Sequence, residues 1–154
     1  MKPATDIIEK AKAAIRDAFT GVTLGGGVGL NETQALDDYA SNEVHAACRA
    51  ADEENDWVAI TLEALNNHSG SPSFFDVEGM RFHLPAYLIA YLDDDYKHEF
   101  AQHLLASPEK FRLLTPAQRN AVELYLRAVR ETENMAAYRY DIERALQEWA
   151  GYRA

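Results

Sequence analysis

Apolar residues recur every three to four positions near the start of the chain. Ile7, Ile8, Ala11, Ala14, Ile15, Ala18 and Phe19 share one stripe, with Lys10, Lys12 and Arg16 off it. That spacing predicts an amphipathic helix, capped by Thr5 and ending at Gly21. Five of the eight glycines fall between Gly21 and Gly29, where backbone entropy disfavours helix and strand alike, so a loop is expected. The helical stripe resumes through Leu36, Ala40, Val44, Ala47, Cys48 and Ala51. An Asn31–Gln34 capping box opens it, and Ser41-Asn42 is a natural break.

Trp57, Val58, Ile60, Leu62, Ala64 and Leu65 are apolar on nearly every side, the pattern of a buried helix, with Asp56 as its cap. Between Phe74 and Leu84 the period changes to two. Met80, Phe82 and Leu84 alternate with Arg81 and His83, and Asp76-Val77-Glu78-Gly79 carries the residues of a type I turn. A short β-hairpin is therefore expected over 74–84. Pro85 then opens a helix to about Leu92, and Asp94 or Asp95 caps a weaker segment reaching Leu105. Thr115-Pro116-Ala117-Gln118 joins a cap, a first-turn proline and a box residue, and predicts a long helix. Its stripe runs Ala117, Ala121, Val122, Leu124, Tyr125, Ala128 and Val129, with Arg119, Glu123, Arg127 and Glu131 on the wet side. A last helix uses Met135, Tyr138, Ile142, Ala145, Leu146 and Trp149, and packs against the previous one. The expected fold is mainly α: a single domain over residues 1–154, with six to eight helices around one core and one short hairpin.

Composition narrows the class further. A hydrophobic share of 47% and a charged share of 26% exclude a disordered or fibrous chain. The longest uncharged apolar run, Leu84 to Leu92, is far shorter than a spanning helix. Cys48 is the only cysteine, so one chain forms no internal disulfide and no thiolate zinc site. The opening Met1-Lys2-Pro3-Ala4-Thr5-Asp6 lacks the apolar stretch of a signal peptide, and a cytoplasmic location is expected.

The net charge is −10, and residues 31–56 supply −7 of it. Glu32, Asp37, Asp38, Glu43, Asp52, Glu53, Glu54 and Asp56 stand there against Arg49 alone. Such a field repels phosphate backbones and anionic lipid, which excludes nucleic acid and membrane as partners. A basic protein is the partner the charge favours. The leading expectation is thus a non-enzymatic binding module of the inhibitor or immunity type, using those eight acids.

Candidate chemistry is thinner. Gly25-Gly26-Gly27-Val28-Gly29 follows a helix and lacks the lysine of a phosphate-binding loop, so a connector is expected. His98-Glu99-Phe100-Ala101-Gln102-His103 is one residue too long for the zinc motif H-E-x-x-H. Five residues apart on a helix, its histidines lie about 140° apart. Arg81 and His83, on one face of a strand, form a candidate anion or structural site, with Arg81 expected to pair with Asp76, Glu78 or Asp93 to Asp95. The alternative to a binding module is a small hydrolase or metal-dependent enzyme using Arg81, His83, Asp93 to Asp95, Glu99 and His103. No catalytic set, resident metal or cofactor is expected.

Phe75-Asp76-Val77-Glu78-Gly79-Met80-Arg81-Phe82-His83-Leu84-Pro85-Ala86-Tyr87 resembles the signature of an uncharacterised group of small bacterial proteins, a domain of unknown function. Asp52-Glu53 before Asp56-Trp57, Leu114 to Arg119, and Arg144-Ala145-Leu146 before Trp149 are similar to its other landmarks. The resemblance covers most of the chain and implies a single bacterial domain with no assigned reaction or ligand.

Overall fold

The computed structural model describes residues 3–105, 108–132 and 136–151. Seven α-helices and no strand occur among them: α1 Pro3–Ala18, α2 Leu30–Asp37, α3 Asn42–Ala50, α4 Leu62–Asn67, α5 Val77–Leu92, α6 Pro116–Thr132 and α7 Ala136–Gly151. Short 3-10 turns at Trp57–Ala59, Ser71–Ser73, Ala101–Leu105 and Pro108–Phe111 fill the connections.

The stripes at the two ends of the chain pack as their spacing requires. Ala11 and Ile15 on α1 and Phe19 just past its end are buried, as are Ala121, Val122, Tyr125, Leu126 and Val129 on α6. α1 lies on α5 and α6, and α7 closes against α6 and the turn at 101–105. Ile142, Ala145, Leu146 and Trp149 carry the α7 contact, with Trp149 2% exposed and its ring 5.0 Å from Phe111. Met135 and the side chain of Tyr138, the first two positions of that stripe, lie outside the described residues. The α6 start is a reciprocal box: Thr115 N–H donates to Gln118 Oε1 at 2.9 Å, and Gln118 N–H to Thr115 Oγ1 at 3.1 Å.

The expected hairpin over 74–84 is overturned, because α5 runs through it. Asp76 begins a helix here. Its Oδ1 accepts the Gly79 N–H at 2.8 Å, an N-cap whose spacing is also that of the turn. Eleven of the sixteen α5 residues are buried, including His83 and Pro85. A helix covered all round loses its amphipathic period, which is why the alternation of polar and apolar positions resembled a strand. Pro85 lies in the helix interior and leaves the Arg81 carbonyl without its helical donor. Arg81 and His83, two apart on a helix, no longer share a face.

Other expectations shift locally. α1 starts at Pro3, so Thr5 lies in its first turn. α2 is capped by Gly29 and Glu32, whose Oε1 accepts the Gly29 N–H at 3.1 Å, in place of the Asn31–Gln34 box. Asp56 caps only the 3-10 turn at 57–59, and Thr61 caps the short α4. Val58 and Leu62 are exposed there, so the all-round burial expected of a single helix does not hold. Residues 95–100 are irregular, and neither Asp94 nor Asp95 caps a helix. Glu123, expected on the wet side, is 2% exposed, with Arg127 Nη2 at 3.4 Å from its Oε1.

Candidate functional site

The eight acids of 31–56 divide into two groups once folded. Asp52 reaches back to the start of α2, where Oδ1 accepts the Asn31 N–H at 2.6 Å and Oδ2 the Glu32 N–H at 3.2 Å. It neutralises donors that a helix start leaves open. Glu53 Oε2 accepts the N–H groups of Asn55 and Asp56 at 3.0 and 3.1 Å, and Asp56 Oδ1 that of Val58 at 3.0 Å. Glu54 meets Arg49 Nη1 at 3.0 Å, and Glu32 lies 3.9 Å from Arg49 Nε. Most of these carboxylates thus organise their own backbone. Asp37, Asp38 and Glu43 are exposed, and among the described residues only Asp38 of the three has a polar partner, Gln34 Nε2 at 3.1 Å.

Arg49 is the residue that charge counting undervalued. Its guanidinium donates to Gly25 O at 2.8 Å and Gly27 O at 3.1 Å, tying the glycine loop to α3. Three loop N–H groups are also committed: Gly27 to Leu24 O, Val28 to Asp76 Oδ1 and Gly29 to Glu32. Gly27 and Gly29 are buried, so this part of the loop packs closely against the fold. A Cβ on Gly27 would come 2.8 Å from Gly79 N, and one on Gly79 2.6 Å from Val28 O. Glycine is required there by contact, without a special φ.

Beneath this loop lies a polar centre. His83 is 1% exposed; Nδ1 is 2.6 Å from Gly79 O, and the ring stacks on Phe75 at 4.3 Å. A carbonyl only accepts, so Nδ1 carries the proton of the neutral ring. Burial holds the imidazole pKa down at about 4, against the pull of the Gly79 bond. His83 is therefore neutral at physiological pH, with Nε2 as an acceptor. Close by, Thr33 Oγ1 and Ser71 Oγ are 2.6 Å apart, Ser71 Oγ is 3.3 Å from His68 Nδ1, and Tyr87 donates to His68 O at 2.6 Å. None of these partners was visible in sequence, although Asp76 and Gly79 at the right interval were the signal for a cap.

Arg81 pairs with none of its expected partners: it forms no ion pair among the described residues, and its buried Nε has no hydrogen-bond acceptor there. Asp93, at the end of α5, instead holds Lys12 of α1. Asp94 adopts φ +62° just beyond the helix, where Asp95 N–H bonds back to Ala90 O at 3.1 Å. That is a C-terminal turn in which aspartate tolerates the left-handed region better than most residues.

Asp94, His98, Glu99 and His103 line a separate cleft of about 680 Å³ together with Tyr91 and Tyr96. Both histidines line this cleft, since 98–105 is not α-helical and the helical spacing does not apply. Tyr91 Oη lies 3.4 Å from both Glu99 oxygens, and burial lowers the His103 pKa. No group of three His, Cys, Asp or Glu side chains is placed to hold a metal among the described residues. His83 is not part of this cleft, and Asp93 and Asp95 line another, so the enzyme-like set is divided.

A family model matches residues 8–153. The chain belongs to DUF6714, a family of unknown function. No curated protein and no solved structure matches it. No helix among the described residues is long and apolar enough to cross a membrane.

Proposed function

We propose that this protein is a bacterial, cytoplasmic, single-domain binding module that docks a basic protein on the face of α2 and α3. The observation that carries the reading is Tyr39, 96% exposed at φ +52° just past α2. Tyr39 N–H bonds to Leu36 O at 3.2 Å and Ala40 N–H to Ala35 O at 2.9 Å, a turn whose left-handed position favours glycine. A tyrosine there carries backbone strain and gains no burial. An aromatic ring ringed by charge is what a binding hot spot requires. Asp37 and Asp38 precede it, Glu43 follows, and α3 buries none of its nine residues. Asp52, Glu53 and Asp56 are engaged with backbone donors and Glu54 with Arg49, whereas Asp37, Asp38 and Glu43 stand exposed around Tyr39, which supports a docking centre at residues 37–44.

Arg81, His83, Asp93 and Asp95 stand outside the cleft that brings Asp94, Glu99 and His103 together, a division that favours binding over hydrolysis. A photo-crosslinking residue at position 39 tests this in cells, with Phe74, exposed elsewhere, as the control position. The expected product is a basic protein, lost when Asp37→Asn, Asp38→Asn and Glu43→Gln are combined. With the purified pair, that triple variant should associate more slowly at low salt and lose salt dependence, since exposed charges act through steering screened over about 8–10 Å. Capture of an acidic protein, or capture only from position 74, sinks the reading.

A further inference from the structure

A small cleft of about 180 Å³ opens beside the proposed docking face, between the start of α2, residues 51–53, and α4. Asn31, Ala51 and Thr61 on its rim are exposed, while His83 forms part of its wall. One face of the His83 ring is on Phe75, Phe82 meets it edge-on, and Nδ1 is taken by Gly79. Nε2 is the remaining polar atom, an acceptor with no partner among the described residues on a side chain 1% exposed. Asp52 and Thr61 also contribute to the wall, which holds no lysine or arginine. Both oxygens of Asp52 already accept backbone N–H groups, and each keeps a lone pair. Thr61 Oγ1 accepts the Ala64 N–H at 3.1 Å and also has accepting capacity left.

We infer that this cleft seats a primary ammonium group, the end of a lysine side chain on the basic partner. Its source rests on the docking reading above; its chemistry does not. Three acceptors, His83 Nε2, the Asp52 carboxylate and Thr61 Oγ1, match the three donors of an ammonium. Leu30, Ile60 and Ala64 give the entry an apolar lining for the methylenes of a lysine stem. Anions are opposed by Asp52 and Glu53 and meet no cationic side chain on the wall. A metal is poorly served, as no group of three His, Cys, Asp or Glu side chains is placed to hold one among the described residues. The volume resembles an engineered cavity of about 150 Å³ that holds benzene, smaller than the pockets of drug-sized ligands. Burial raises the Asp52 pKa despite its backbone bonds and Arg49.

The test is an NMR titration of the isotopically labelled full chain with acetyl-glycyl-lysyl-glycine amide, beside the same peptide acetylated on the lysine side-chain nitrogen. The lysine peptide should give saturable shifts at the Asn31, Asp52 and Ala64 amides and at the His83 ring nitrogens. Acetylation should weaken binding at least about tenfold. Asp52→Asn should weaken it similarly, and Ala64→Leu, which fills the cleft and leaves the three acceptors in place, should abolish it. No saturable shift, equal binding of the acetylated peptide, or unchanged binding by a folded Ala64→Leu protein overturns the inference. A silent peptide with an intact crosslink from position 39 removes the cleft and keeps the docking face. A bound peptide without that crosslink keeps the cleft and removes the docking reading.

Discussion

The body made by α1, α5, α6 and α7 buries Ile15, Phe19, Leu88, Tyr125 and Trp149 in one continuous core. Residues 30–59 bury only Leu30, Thr33, Ala35 and Trp57. What holds the second region is a set of side-chain bonds to backbone, from Asp52, Glu53, Asp56, Ser41 and Arg49. Each such bond contributes a net of about 0.5–1.5 kcal/mol, comparable to one or two buried methylenes. The acid-rich region is therefore expected to open more easily than the body, as binding elements do. Its carboxylates serve its own backbone first.

The largest expected effect falls in the body. Trp149→Ala removes a ring packed on Phe111 and its N–H bond to Leu104 O at 2.9 Å, and should lower stability by about 3–5 kcal/mol in urea unfolding. A loss below about 1 kcal/mol would show that the body is not where stability resides.

Acid should act next, where the two regions meet. His83 titrates at about 4 when folded against 6.5 as a free side chain, so the unfolded chain binds the extra proton between those values. Stability present above pH 6.5 should fall as pH drops toward 4, by roughly 3 kcal/mol. Burial lowers His68 and His103 and adds to the trend, while the raised Asp52 opposes it. Urea unfolding at pH 7 and 4.5, repeated with His83→Phe, isolates the His83 share; an unchanged slope in the variant would remove it.

Gly29→Ala should cost about 1–3 kcal/mol, because the new Cβ falls on the Asp52 carboxylate and displaces the α2 cap. Hydrogen exchange should show amides of 30–59 opening while those of α6 keep their protection. Uniform loss of protection would mean that the two regions unfold as one.

The smallest change has the opposite sign. Tyr39→Gly relieves a left-handed tyrosine and should raise the thermal midpoint, for a gain on the order of 1 kcal/mol, while abolishing partner association. A protein that is less stable, or that still associates, would show that Tyr39 belongs to the fold and not to the docking face.

Sequence alone determined the elements whose cause is local. The Thr115–Gln118 box and the stripes of α1, α6 and α7 needed only a cap or a period of 3.6, so they were legible before folding. The same holds for the break at Ser41, whose Oγ accepts the Val44 N–H at 3.3 Å. Tertiary structure decided the rest. Asp76 and Gly79 fit a turn and an N-cap equally well, and burial of α5 on all sides chose the helix while erasing its period. The destinations of the acids were equally hidden, since Asp52 meets its donors twenty and twenty-one residues away. Charge counting summed eight carboxylates into one face; folding set Asp52, Glu53 and Asp56 on backbone donors and Glu54 on Arg49, and left Asp37, Asp38 and Glu43 exposed. Glu123 followed the same logic in reverse, placed on the wet side by its helical spacing and enclosed by its neighbours. A chain states its local hydrogen-bond preferences, but which polar group is buried depends on what other segments bring to it.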